Sequence, residues 1–184
     1  MNYSKHLLSL ALLCCAFAAQ SQLVKLPINN AFRTDMQKVV EEYPHQFMAI
    51  KGDVVNKNPQ TIEYASLLIP EGAEESVITQ YSSGPKPIYT WQAVMLTTED
   101  YDAAVKKYKW LFSQLKGLNV KYVADLYTLR GAYEMPDESR KFTVSSLVLS
   151  QPPSPLRKLK VDVAMTFEFP EWKVSLMVYE KERE

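Results

Sequence analysis

The stretch Leu159–Val178, LKVDVAMTFEFPEWKVSLMV, alternates apolar and polar residues on both sides of a Pro170-Glu171 break. Leu159, Val161, Val163, Met165, Phe167 and Phe169 fall on one side, and Lys160, Asp162, Thr166 and Glu168 on the other. After the break, Trp172, Val174, Leu176 and Val178 return at the same period. A period of two sends successive side chains to opposite faces of a strand, so the stretch reads as an antiparallel hairpin with one dry face. A dry face has to be covered by something.

Working outward, two helical stripes supply the cover. Phe32, Met36, Val39, Val40 and Tyr43 recur at helical spacing behind Asn29 or Asn30, either of which suits an N-cap. Pro44 breaks that helix, and a further turn from His45 to Lys51 is expected to stop at Gly52. Tyr101, Ala104, Val105, Tyr108, Leu111, Phe112 and Leu115 form the second stripe, capped by Thr97 and Thr98 and closed by Gly117. Strand-like runs occupy 61–69, 76–81 and 88–97, the last apolar enough for the interior of a sheet. Val120–Tyr133, bent at Gly131, and Phe142–Ser150 precede the final hairpin. Residues 53–60 read as a polar loop, and Pro152-Pro153-Ser154-Pro155 as a stiff connection.

The fold class expected is α+β: an antiparallel β-sheet of about six to seven strands with two amphipathic helices packed on one face. Phe47-Met48-Ala49-Ile50-Lys51-Gly52 echoes Phe112-Ser113-Gln114-Leu115-Lys116-Gly117. The echo suggests an αβββ duplication, although helices ending in Lys-Gly also recur for capping reasons. The order of helix and then meander resembles small bacterial envelope domains, inhibitor-like and peptidase-propeptide-like ones among them. A resemblance of topology implies no activity.

The N-terminus has a different character. Lys5 stands in a short polar start, and Leu7–Ala19 follows without a charge. Small residues come next at Ala16, Ala18, Ala19 and Ser21. This is the pattern of a secretory signal, with cleavage expected near Ala18 or Ser21. Residues 1–21 are therefore read as leader and 22–184 as a single α+β domain, secreted or periplasmic. The leader contains both cysteines, Cys14 and Cys15, and His6, one of two histidines. It also takes Lys5, leaving 20 cations against 21 acids.

That near-neutral balance gives no electrostatic grip on nucleic acid, and no membrane span is expected once the leader is removed. No Gly-x-Gly occurs, so phosphate-cradling loops are not expected, and neither is a cofactor. Without cysteine, and with His45 as the one imidazole, thiolate, multi-histidine metal and most triad chemistries have no residues to use. Paired carboxylates remain, drawn from Glu41, Glu42, Glu74, Glu75, Asp137 and Glu138.

Trp110 is the most suggestive side chain. On a helical wheel it lies opposite Tyr101, across from the apolar stripe, with Lys106, Lys107 and Gln114 for company. An aromatic beside cations on a wet helix face is typical of a contact hot spot, unless another segment covers it. The functional expectation is a non-catalytic binding or interaction domain whose partner is a protein or a small apolar ligand, with Trp110, Lys106, Lys107 and Gln114 as contact residues. An alternative is a carrier holding an apolar ligand between helices and sheet. A third is a hydrolase working with carboxylates alone.

Overall fold

The structure, a computed structural model, describes residues 29–82 and 86–181. The leader, its cleavage sites and both cysteines lie outside the described residues. Helix α1 (Asn30–Glu42) starts where Asn29 accepts the Phe32 amide with its side chain. Four strands follow as a meander: β1 (Lys51–Lys57), β2 (Thr61–Ser66), β3 (Glu75–Tyr81) and β4 (Ile88–Thr98). Helix α2 (Tyr101–Leu115) comes next, and then β5 (Asn119–Tyr122), β6 (Asp125–Gly131), β7 (Phe142–Leu149), β8 (Leu159–Glu168) and β9 (Glu171–Glu180).

All nine described strands form one antiparallel sheet in the order β1-β2-β3-β4-β9-β8-β7-β6-β5. Each helix leads a meander, and the last strands of the two meanders, β4 and β9, pair at the centre. The α+β class and the antiparallel sheet stand. The strand number is corrected from six or seven to nine.

Two strands account for the difference. Lys51–Lys57 is an edge strand and not a polar loop; among the described strands it pairs only with β2, through two irregularities of register. With one partner and little burial it has no need of apolar alternation. Val120–Tyr133 is two strands, because Val123 turns the chain in a left-handed conformation (φ 57°) without help from Gly or Asn.

Local boundaries shift for similar reasons. From Tyr43 the chain makes two short 3₁₀ turns, Tyr43–His45 with Pro44 inside it and Met48–Ile50, separated by Gln46 and Phe47 at φ 57° and 58°. Gly52 consequently sits within β1 and not at a helix end. Thr97 and Thr98 finish β4, and the cap of α2 is Asp100, whose carboxylate accepts the Ala103 amide at 3.1 Å. Phe169, expected inward, is 89% exposed at the β8–β9 turn. The echoing segments adopt different structures: Phe47 precedes a 3₁₀ turn, whereas Phe112 lies inside α2.

The core lies on one side of the sheet. Ile78, Trp91, Val178, Val161 and Leu147 stand side by side across β3, β4, β9, β8 and β7, and all are fully buried. Helix α2 lies against β4, β8 and β9, and α1 lies against β5 and α2. Phe32, Met36, Tyr108, Leu111 and Leu115 join the strand residues in one cluster. The Tyr108 hydroxyl reaches Ser145 Oγ at 2.6 Å across that interface.

Burial pushes the Tyr108 phenol up to about 12, the Ser145 hydrogen bond pulling the other way. Burial, and then the Glu180 carboxylate, push Tyr43 up to about 12 as well. Both rings are thus neutral in the folded state at pH values where the unfolded chain would ionise them. Stability from this source is complete below the ordinary phenol value of 10.0 and is lost as pH rises towards about 12. Urea midpoints measured across that alkaline window should fall, and Tyr108→Phe should make the fall shallower. An unchanged slope in the variant would show that Tyr108 is not one of the groups responsible.

Candidate functional site

The α2 face opposite the stripe is where the sequence pointed, and it carries a shallow apolar trough of about 310 Å³. Leu96, Ala103, Lys106, Lys107 and Trp110 line it. Ala103, Lys106, Lys107 and Trp110 come from successive turns of α2 and share one side of the helix. Leu96 arrives by a different route. A bulge between Val94 and Leu96 resets the pairing, so that Leu96 opposes the buried Val174 and turns to the helix side of the sheet. Strict alternation along β4 would have sent it the other way.

Trp110 is half-buried. Its ring lies 5.0 Å from that of Phe32, because α1 packs on α2 from the side the helical wheel leaves wet. The Lys107 ammonium sits 5.3 Å above the indole and donates to the Gly72 carbonyl at 3.3 Å. Burial pulls the Lys107 ammonium below its usual range, while Glu74 acts in the opposite sense. Lys106 is exposed at the rim. The loop that carries Gly72 also leaves Leu67 and Ile69 largely exposed.

Gln114 does not belong to this surface. It is 1% exposed, its Oε1 accepts the Asn29 amide at 2.9 Å, and its carbonyl accepts the Arg33 guanidinium. Its work is to tie the start of α1 to the end of α2. The wheel put it beside Trp110 correctly, but a wheel carries no information about where a second helix will cross.

The other candidates are dispersed. His45 is exposed at the end of the first 3₁₀ turn. Glu41 accepts the Lys121 amide, Glu42 the Ala49 amide and Glu74 the Thr97 amide, while Asp137 accepts from Ser139. Each of these carboxylates accepts a backbone amide, Glu42 and Asp137 from nearby in the chain and Glu41 and Glu74 from a distant segment. A second, smaller concavity of about 170 Å³ lies where Tyr43, Tyr89, Pro155 and Glu180 meet. Beside it the Lys51 ammonium stands 4.7 Å over the Tyr64 ring and 5.2 Å over the Tyr89 ring. No helix among the described residues is long and apolar enough to cross a membrane. The chain matches no protein-family model, no curated protein and no solved structure.

Proposed function

We propose that the chain is an exported, non-catalytic binding domain whose contact site is the α2 trough, and that the trough takes an apolar group carrying a negative charge. The observation behind this reading is the convergence of Trp110, Leu96 and Ala103 with two ammonium groups, one at the rim and one over the indole. An apolar floor rewards a hydrocarbon or aromatic group, and the partly desolvated Lys107 rewards an anion. The volume lies at the low end of small-molecule sites, roughly 300–1,000 Å³, so it suits one side chain or a short acyl chain. Export rests on the leader pattern of residues 1–21. Between helices and sheet, Trp91, Tyr108 and Phe32 are fully buried against their neighbours, which favours the surface trough over an interior pocket for an apolar ligand. The expected αβββ unit is not what repeats: α1 leads four strands and α2 five, and the two meanders share only their pairing along β4 and β9.

Decanoate tests the chemistry directly, with decanol and decylammonium as charge controls. Followed by the indole N–H resonances, decanoate should bind saturably and shift the Trp110 signal. It should bind more tightly than decanol, and decylammonium more weakly than either. Lys106→Glu should weaken decanoate binding without lowering the melting temperature, because Lys106 is exposed. Trp110→Ser should abolish binding but also cost about 1–2 kcal/mol of stability through the lost Phe32 contact. Equal affinity for all three probes, or shifts confined to Trp91 and Trp172, would overturn the assignment.

A further inference from the structure

The face of the sheet turned away from the helices is also built for contact. Val77, Gln92, Met177, Asp162 and Ser146 form one row across it, and Val94, Ser175, Ala164 and Val144 form the next. Eight of these nine residues are uncharged, and seven of the eight are only partly exposed while Ala164 is buried. Charges stand mainly at the margins. Glu63 on β2 and Glu75 on β3 flank one side and Arg130 on β6 the other, while Lys160 on β8 and Lys173 on β9 stand at opposite ends of the central strands. An uncharged centre inside a charged rim is the pattern of a protein interface.

The centre holds one exception. Asp162 is 4% exposed on this face; one carboxylate oxygen accepts the Tyr179 hydroxyl at 2.7 Å and lies 3.5 Å from the Lys160 ammonium. Its other oxygen is buried without a hydrogen-bond partner. Tyr179 and Lys160, its partners, belong to the same chain, so the acid adds no open charge to the centre.

We infer that two copies of this chain stack through this face, about a twofold axis running along the strands. That operation lays β2 of one copy over β6 of the other, and so Glu63 over Arg130, and it does so twice. Seven strands at roughly 4.8 Å spacing and about six residues each give a footprint near 700 Å² per copy. That approaches the roughly 800 Å² per partner of a standard specific interface. A net charge near zero leaves little long-range repulsion between copies.

Sedimentation of the full chain as recovered after expression tests this. A dimer should be populated at about 100 µM and dissociate on dilution, because interfaces of this size span micromolar to picomolar affinity. Val94→Lys places an unpaired ammonium in the centre and should weaken association at least about tenfold. Glu63→Lys should weaken it too, and adding Arg130→Glu to that variant should restore much of the loss, since the twofold lays these two residues over one another and neither side chain is buried. A chain that stays monomeric at about 100 µM overturns the proposal, as does a dimer whose dissociation constant none of these variants moves.

Discussion

Trp91→Ala should destabilise the folded chain by about 3–5 kcal/mol, the largest single loss expected from shortening one side chain. Trp91 is fully buried on β4, flanked by Ile78 on β3 and Val178 on β9. It therefore stands where the two meanders meet, and the cavity it left would open beneath α2, between paired strands that cannot close over it. The indole also donates to Ser66 Oγ at 3.1 Å, and Ser66 in turn donates to the Leu68 carbonyl at 2.8 Å. The ring thus anchors the loop that leads to Gly72 and the α2 trough. For a chain of this length each kcal/mol is worth roughly 2–4 °C, so the melting temperature should fall by about 10 °C. Trp91→Phe keeps most of the apolar contact and loses only the hydrogen bond, so it should cost less than half as much. An unfolding free energy for Trp91→Ala, taken from urea titration, within about 1 kcal/mol of the parent would show that the ring does not fill the core as described.

Trp91 also shows which features of the fold are legible in the sequence. Its strand is apolar enough to belong to the interior of a sheet, and the alternation of Leu159–Val178 defines the dry face it shares. Those signals are strong because burial on one face forces a period of two. Where burial relaxes, the signal fades. Lys51–Lys57 leaves both Val54 and Val55 exposed, so its residues show no preferred face and read as a loop. The Val123 turn carries no residue that favours a left-handed backbone, so two strands read as one.

The site divides along the same line. Trp110, Lys106 and Lys107 are visible because a helical wheel is a local construction. The cover over Trp110, the burial of Gln114 and the turning of Leu96 each depend on an element distant in sequence: α1 for the first two, β9 for the third. Asp162 reads as an ordinary outward residue of an alternating strand. Its burial and its unmatched oxygen follow from neighbours on other strands, which no periodicity reports.

Gly131→Ala should be the other severe substitution, and for a different physical reason. Its φ is not in the left-handed region that favours glycine, so the backbone would accept alanine on conformational grounds. The obstacle is space. A Cβ added there would lie 2.1 Å from the Ser146 carbonyl oxygen and 3.2 Å from the Leu147 Cα. Both are backbone atoms of the neighbouring strand and cannot rotate aside. Relief requires β6 to move away from β7, and the ladder between them is short: Leu129 with Leu149, Arg130 with Val148 and Gly131 with Leu147, extended by the Ser150 amide donating to the Thr128 carbonyl at 3.0 Å. Losing one pair from that short ladder endangers the whole β5–β6 hairpin, and with it the burial of Val120 and Leu129. We expect a loss of about 3 kcal/mol or more, at the upper end for overpacking. Hydrogen exchange should locate the damage, with protection falling in β5 and β6 and surviving in β8 and β9, which pair along their whole length. Gly117→Ala provides the contrast. It has φ 79° and nothing within 4 Å of an added Cβ, so its cost is conformational only and of order 1 kcal/mol. If Gly131→Ala proved the milder of the two, the close approach of β6 and β7 would have to be wrong.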